Sequence, residues 1–289
     1  MDLPFRILNV FGIEGDPFSG NPLCVFPYAA GLDDGQMQSW ARQFNLSESA
    51  FVTSREADGS AAVRIFTPEH EMPFAGHPVL GTAEVVAKAT SGTESVDLTT
   101  PAGLIRVTRV PAGWRFTAPA ARTREVTSSG AELAAALGVD PDGLVRSDAR
   151  WVDSGVEQLL VRLDSADAVR ACDPDPHLMT RHLTAPGRPP EAYVWAWTGP
   201  KSVEARMLYT QGRAVLEDPA TGSASANLGG WLAAQGVRDV SIVVSQGSAV
   251  GRPSRLVIDV DSGGGVHVGG RVDRVGEGVC SVVPSTVGR

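Results

Sequence analysis

Apolar and polar positions alternate along most of this chain in runs of four to eight residues: 4–10, 22–26, 50–53, 61–66, 95–99, 104–109 and 114–117, then 158–163, 192–197, 202–209, 241–245, 255–260 and 266–272. Gly, Pro, Asn or Asp punctuates them, which predicts many short strands. Helical spacing shows in fewer places. Leu32, Gln36, Trp40 and Phe44 fall on related faces of a predicted helix over 33–44, with Asp33 or Asp34 placed to cap it. Segments 79–87 and 224–233 are apolar or small nearly all round, the pattern of a helix buried inside a sheet rather than laid on its surface. A polar bridge over 120–129 leads to a small predicted helix at 132–137. The stretch 173–190, with its prolines, His177, Arg181 and His182, reads as a long connecting loop.

The order of elements recurs after Pro119. Ser19-Gly20 before Leu23-Cys24-Val25 matches Ser154-Gly155 before Leu159-Leu160-Val161, an offset of 155 − 20 = 135. Arg64-Ile65-Phe66 matches Arg206-Met207-Leu208 at 206 − 64 = 142, and Gly76-His77 matches Gly222-Ser223 at 222 − 76 = 146. Matches in one order with slowly growing offsets predict two copies of one fold, residues 1–118 and 119–289, with the last strand returning to the first half. Each copy wraps strands around its own apolar helix.

Composition narrows the partners. The 289 residues, 43% hydrophobic and 20% charged, suffice for two ordinary cores. A net charge of -8 gives no basic footprint for nucleic acid or an anionic membrane surface. Cys24, Cys172 and Cys280 are odd in number and far apart, so neither a disulfide framework nor a structural zinc site is expected. The opening MDLPFRILNVFG is wrong for a signal peptide and no apolar run approaches the ~20 residues that span a bilayer, so a cytoplasmic protein is expected.

The chemistry-bearing residues stand in short motifs. Gly76-His77-Pro78 and Thr221-Gly222-Ser223 open the two apolar helices, and a helix start offers unpaired N–H groups and a positive dipole end to a small carboxylate. Glu48 lies among Leu46, Ala50 and Phe51, surroundings that raise a carboxyl pKa towards neutrality and strengthen it as a base. Read alone, Glu48 also fits a surface carboxylate at a strand entry, His77 a helix N-terminal residue before Pro78, Asp218-Pro219 a turn, and Ser223 a cap. A two-thiol racemase is disfavoured because no Cys adjoins either helix start. No G-x-S-x-G elbow, dinucleotide fingerprint or metal-ligand spacing appears. His70, His177, His182 and His267 carry no motif.

Six stretches in order resemble the PhzF phenazine-biosynthesis family within the diaminopimelate-epimerase-like fold: Gly20-Asn21-Pro22, Leu46 to Phe51, Arg64 to Pro68, Pro73 to Pro78, Glu217 to Ala224, and Gln246-Gly247 with Gly251 to Ser254. The resemblance covers essentially the whole chain. It implies an α+β fold of two pseudo-symmetric halves, each a rolled, mainly antiparallel, barrel-like sheet around a central helix, with the active site in the cleft between them and a homodimer as the assembly. It implies an isomerase that needs no cofactor or metal and moves a proton in a small unsaturated or cyclic carboxylic acid, with Glu48 as acid/base helped by His77, Asp218 and Ser223. Asn21, Ser47, Gly76, Thr221 and Gly222 would then hold the substrate. An epimerase using Glu48 and a second acid/base, or a non-catalytic binder of a small acid, are the alternatives. One departure stands out: Leu208-Tyr209-Thr210 replaces the F-x-P often repeated in the second half.

Overall fold

The computed structural model describes residues 2–89, 93–185 and 188–281. Along the first part run β1 (Asp2–Gly12), β2 (Asn21–Phe26), α1 (Asp34–Phe44), β3 (Glu48–Arg55), β4 (Ala61–Phe66), β5 (Glu71–Met72), α2 (Gly76–Ala89), β6 (Ser95–Thr100), β7 (Gly103–Val110) and β8 (Gly113–Thr117). There follow β9 (Arg122–Glu125), α3 (Gly130–Leu137), β10 (Arg150–Asp153), β11 (Glu157–Arg162), α4 (Ala166–Ala171), α5 (Pro176–His182), β12 (Glu191–Gly199), β13 (Ser202–Gln211), β14 (Ala214–Asp218), α6 (Gly222–Ala234), β15 (Val240–Gln246), β16 (Ser254–Val260) and β17 (Val266–Ser281). The fold is α+β and dominated by strands.

The chain divides into two compact units, one of Met1–Val10, Pro22–Arg115 and Val272–Arg289, the other of Phe11–Asn21 and Phe116–Arg271. This differs from a division at 118/119 chiefly in residues 11–21, which belong with the second unit. Hydrogen bonds explain it. Gly20 N–H donates to Pro253 O at 3.0 Å, Arg252 Nε donates to Gly20 O at 2.9 Å, and the Asn21 amide donates to Asp218 and Ala220. Phe11, the first residue of that segment, is buried within β1 at a left-handed φ of 64°.

In the first unit β2 pairs parallel with β3, β3 antiparallel with β4, β4 antiparallel with β5 and parallel with β6, and β6 antiparallel with β7. In the second, β11 pairs parallel with β12, β12 antiparallel with β13, β13 antiparallel with β14 and parallel with β15, and β15 antiparallel with β16. The helix that follows the short strand is in each case the apolar one. All of α2 is buried except Val85, Lys88 and Ala89, and it touches β3, β4, β6 and β7. A Cβ on its Gly81 would lie 2.4 Å from Leu23 of β2, a distance no real contact shows, so glycine lets the helix lie against the strand. In α6, a Cβ on Gly229 would lie 2.6 Å from Val266 and 2.7 Å from Ile258.

Local rules place the outer helices. Asp33 caps α1 in a reciprocal box with Gln36, and Asn45 ends it in the left-handed conformation. Trp40 and Phe44 of α1 then pack on Phe5, Phe26 and Phe51, with Phe26 and Phe51 stacked at 4.7 Å. Ser129 and Glu132 form the same box on α3, and Gly138 ends it. The segment expected to be a loop at 173–190 instead carries α5. Asp175 accepts from the N–H groups of His177 and Leu178, Pro176 sits where its missing N–H costs nothing, and Met179 enters the core formed with α3 and β10 to β13. Residues 186–187 of that segment and 282–289 at the C-terminus lie outside the described residues.

Candidate active site

Glu48 is the first residue of β3, opposite Leu23 of β2, and His77 is the second residue of α2. The β3 register and the helix start bring the two side chains together, His77 Nε2 lying 3.5 Å from Glu48 Oε2. Both are sheltered: the His77 side chain is 4% exposed and that of Glu48 15%. Burial pushes the His77 pKa down to about 3, against the opposing effect of a ring N–H donated to the Pro22 carbonyl. Nε2 makes no hydrogen bond, so the donor to Pro22 is Nδ1–H. The neutral ring therefore turns the Nε2 lone pair towards Glu48. Gly76 is buried beside His77, and Ser47 is half-buried next to Glu48.

In the second unit Asp218 ends β14 and α6 begins four residues later, so a single turn, Pro219 to Thr221, holds both. Asp218 Oδ1 accepts from Asn21 Nδ2 at 2.8 Å, and Oδ2 from the Thr221 hydroxyl at 2.5 Å. The orientation of the network is determined. Gln246 Oε1 accepts from Thr221 N–H at 3.3 Å while its Nε2 donates to Asp218 O at 2.8 Å and to Thr221 Oγ1 at 3.0 Å. An amide NH2 can only donate, so the single Thr221 hydroxyl proton is committed to Asp218. Although the residue as a whole is half-buried, desolvation of its carboxyl dominates; with the like charge of Glu217 it pushes the Asp218 pKa up to about 6, against the lowering effect of Thr221 and Asn21. Glu217 is held by Arg206 at 2.9 Å. Gly247, at a φ of 81°, brings its backbone so close to Pro219 and Arg252 that a Cβ would lie 2.4 Å from both carbonyl oxygens.

Ser223, second in α6, accepts from Gln158 Nε2 at 3.3 Å. Gln158 is oriented by Asn227, whose Nδ2 donates to Gln158 Oε1 at 2.9 Å and to Val156 O at 2.9 Å while its Oδ1 accepts from Ser154 N at 2.7 Å. Ser223 is thereby an acceptor towards Gln158. Thr221 and Gly222 are buried at the helix start.

Of the expected site residues, Glu48, His77, Ser47 and Gly76 thus lie in one unit and Asn21, Asp218, Thr221, Gly222 and Ser223 in the other. Sequence reasoning assigned no role to Gln158, Asn227 or Gln246. Their signal was an amide placed in an apolar or small-residue stretch, where burial obliges it to find partners. The motif-free histidines have other contacts: His182 faces Glu132 at 3.7 Å, and His267 bridges Thr117 and Asp261. Among the described residues no three His, Cys, Asp or Glu side chains gather as metal ligands, and no helix is long and apolar enough to cross a membrane.

Comparison with known proteins identifies a family for the chain. The family model described as phenazine biosynthesis-like protein matches residues 10–283. A Pasteurella multocida protein named as an uncharacterized isomerase is 36% identical, over 95% of this chain and 92% of its own length. The trans-2,3-dihydro-3-hydroxyanthranilate isomerase of Pseudomonas aeruginosa is 32% identical, over 90% of this chain and 91% of its own. A solved Pseudomonas aeruginosa structure described as a predicted epimerase superposes with a TM-score of 0.80 at 27% identity, covering 97% of this chain and all of that one.

Proposed function

Because this chain belongs to the phenazine biosynthesis-like family and is an isomerase, we propose that it moves a proton, and with it a double bond, within a small unsaturated or cyclic carboxylic acid, in secondary-metabolite biosynthesis. The observation that carries the reading is the close pairing of a sheltered Glu48 with a buried, neutral His77. Glu48 removes a proton from a carbon next to a conjugated system, the electron pair moves along that system, and the same proton is returned at a distal carbon. Neutral His77, accepting at Nε2, holds the proton on Glu48 between the two events and carries no charge that would trap the base as an ion pair. Asp218, titrating near neutrality, pairs with a substrate amine or exchanges a proton with it, and Ser223 donates to a substrate oxygen. The N–H groups at the starts of α2 and α6 are the proposed ligands for the substrate carboxylate. The related Pseudomonas aeruginosa enzyme is named for a dihydro-hydroxyanthranilate, a cyclic amino acid of this chemical kind.

The reading includes two copies of one rolled sheet around a central helix. Its support is the shared succession of strand pairings, and a recurring ion pair: Arg64 to Glu71 across β4 and β5, Arg206 to Glu217 across β13 and β14. It also includes a homodimeric cytoplasmic enzyme that needs no cofactor.

The test is turnover in heavy water with a panel of cyclic dienoic amino acids. The wild type should carry mostly the substrate's own hydrogen, with little deuterium, to the distal carbon, and Glu48→Gln should lower turnover at least ~10²-fold while still binding. Near-normal turnover by a folded Glu48→Gln protein would remove Glu48 from the chemistry. The second reading, an epimerase with Asp218 as the further acid/base, is favoured by the Asp218 pKa near 6. Deuterium then appears at the original carbon with inversion.

A further inference from the structure

Strand register gives Glu48 a counterpart in the second unit. Phe51 of β3 lies opposite Arg64, and Val194 of β12 lies opposite Arg206, the arginines of the recurring ion pair. Three residues before each stands the first residue of its strand, Glu48 in one unit and Glu191 in the other. Alternate residues of β12 face α6. The Trp195 ring lies 5.8 Å from that of Trp231, and Tyr193 Oη lies 3.4 Å from Ser225 Oγ. Two residues further back on the same face, Glu191 comes level with the start of the helix. Leu160 pairs with Tyr193, so Gln158 stands beside Glu191, and Gln158 reaches Ser223 at 3.3 Å.

Glu191 is 5% exposed and pairs with Arg188. The arginine holds one oxygen alone: Nε at 3.0 Å and Nη2 at 2.8 Å both donate to Oε1. In the pairs Arg64–Glu71, Arg106–Asp97 and Arg124–Glu157 the two donors instead take one oxygen each. Glu191 Oε2 is thus left without a hydrogen bond among the described residues, and it is not shut off from solvent as Glu48 Oε2 is. Burial raises the Glu191 pKa against the lowering effect of Arg188, an imbalance that a further donor at Oε2 would offset. The start of α6 is open as well. Asp33, Ser129, Ser165 and Asp175 cap α1, α3, α4 and α5 with their side chains, whereas the Thr221 hydroxyl is committed to Asp218 and caps nothing. An acid seated on those N–H groups lies beside Glu191, whose charge repels a second carboxylate unless a donor stands between them.

We propose that Glu191 is the specificity-determining residue for an amine carried beside the substrate carboxylate: the N–H groups of α6 take the carboxylate, and Glu191 Oε2 accepts from the amine. The inference rests on the proposed carboxylate seat at α6, and it leaves Asp218 to exchange the proton. Titration calorimetry of the purified full chain with anthranilate and with benzoate tests it, because the two acids carry the same charge and differ by one amine. The wild type should bind anthranilate at least about tenfold more tightly, the effect of one hydrogen bond to a charged group. Glu191→Gln should abolish that preference and leave benzoate affinity unchanged, since Arg188 holds the amide oxygen and turns its NH2 towards the ligand. Glu191→Asp, which withdraws the oxygen by one carbon, should lower the preference several-fold and takes its place if the Gln variant fails to fold. Preference that survives in the folded variant, or an equal loss of affinity for both acids, overturns the assignment. A wild type that binds benzoate without preferring anthranilate also overturns it while sparing the seat. Binding of neither acid removes the seat itself, and Glu191 with it.

Discussion

Replacing Thr221 with Val removes one hydroxyl from the site and changes little else, since the two side chains have nearly the same shape. The hydroxyl donates to Asp218 Oδ2 at 2.5 Å and has no other acceptor to serve. A hydrogen bond to a charged group contributes about 1.5–3 kcal/mol, and each pKa unit corresponds to about 1.4 kcal/mol, so the Asp218 pKa should climb by roughly 1 to 2. It starts at about 6 and would pass neutrality. The folded pKa already lies above the ordinary carboxylate value. Asp218 therefore contributes stability that is fully present below about pH 4 and lost as pH rises through about 6, and in Thr221→Val the loss extends to correspondingly higher pH. Gln246 Nε2 also loses an acceptor while keeping Asp218 O, at a cost of about 1–3 kcal/mol in overall stability. Carbon-13 titration of labelled aspartate reads the Asp218 pKa directly, and the acidic limb of kcat/KM should move with it. An Asp218 resonance that titrates at the wild-type pH in a folded Thr221→Val protein would refute the directional network.

His77 should show nitrogen-15 shifts of a neutral ring protonated on Nδ1 down to about pH 3, and an imidazolium signal at pH 6 would contradict the assignment. Gly81→Ala should lower stability by about 1–3 kcal/mol, because the new methyl falls on Leu23; thermal unfolding at unchanged Tm would show that α2 can shift freely. Exhaustive dialysis against a chelator should leave turnover intact, and activity restored only by added metal would disprove the proposed metal-free mechanism.

Much of the fold was legible because the strands are short and alternate. The expected 61–66 coincides with β4, 22–26 with all but one residue of β2, and 104–109 lies within β7. The helices at 79–87 and 224–233 were visible from their lack of any polar face, and each extends by a few residues to its glycine start. What escaped was held by contacts that leave no apolar rhythm. Every residue of β9, Arg-Thr-Arg-Glu, is exposed, so its pairing with β10 looks like a polar bridge in sequence. β5 is two residues long and exists through its partner β4. α5 buries only Met179, too little to register as a periodic face. At the site, acids and helix starts announced themselves by type and position. The amides did not: Gln158, Asn227 and Gln246 act through orientation, which is decided by partners 25 to 73 residues away.

The glycines that let α2 and α6 lie against their strands make these helices rods with almost no solvent side, exposed only towards their last turns. A surface helix has positions where almost any residue is tolerated, and a protein can vary there at no cost. Here the stretch that supplies the packing of each unit also begins at the residues proposed to hold substrate, so stability and selectivity are written in the same letters. Substitutions across 76–87 and 222–233 should read as one unbroken sensitive block in a saturation scan. Diversification of substrate choice is thereby pushed onto the loops that approach the helix starts and away from the helices themselves.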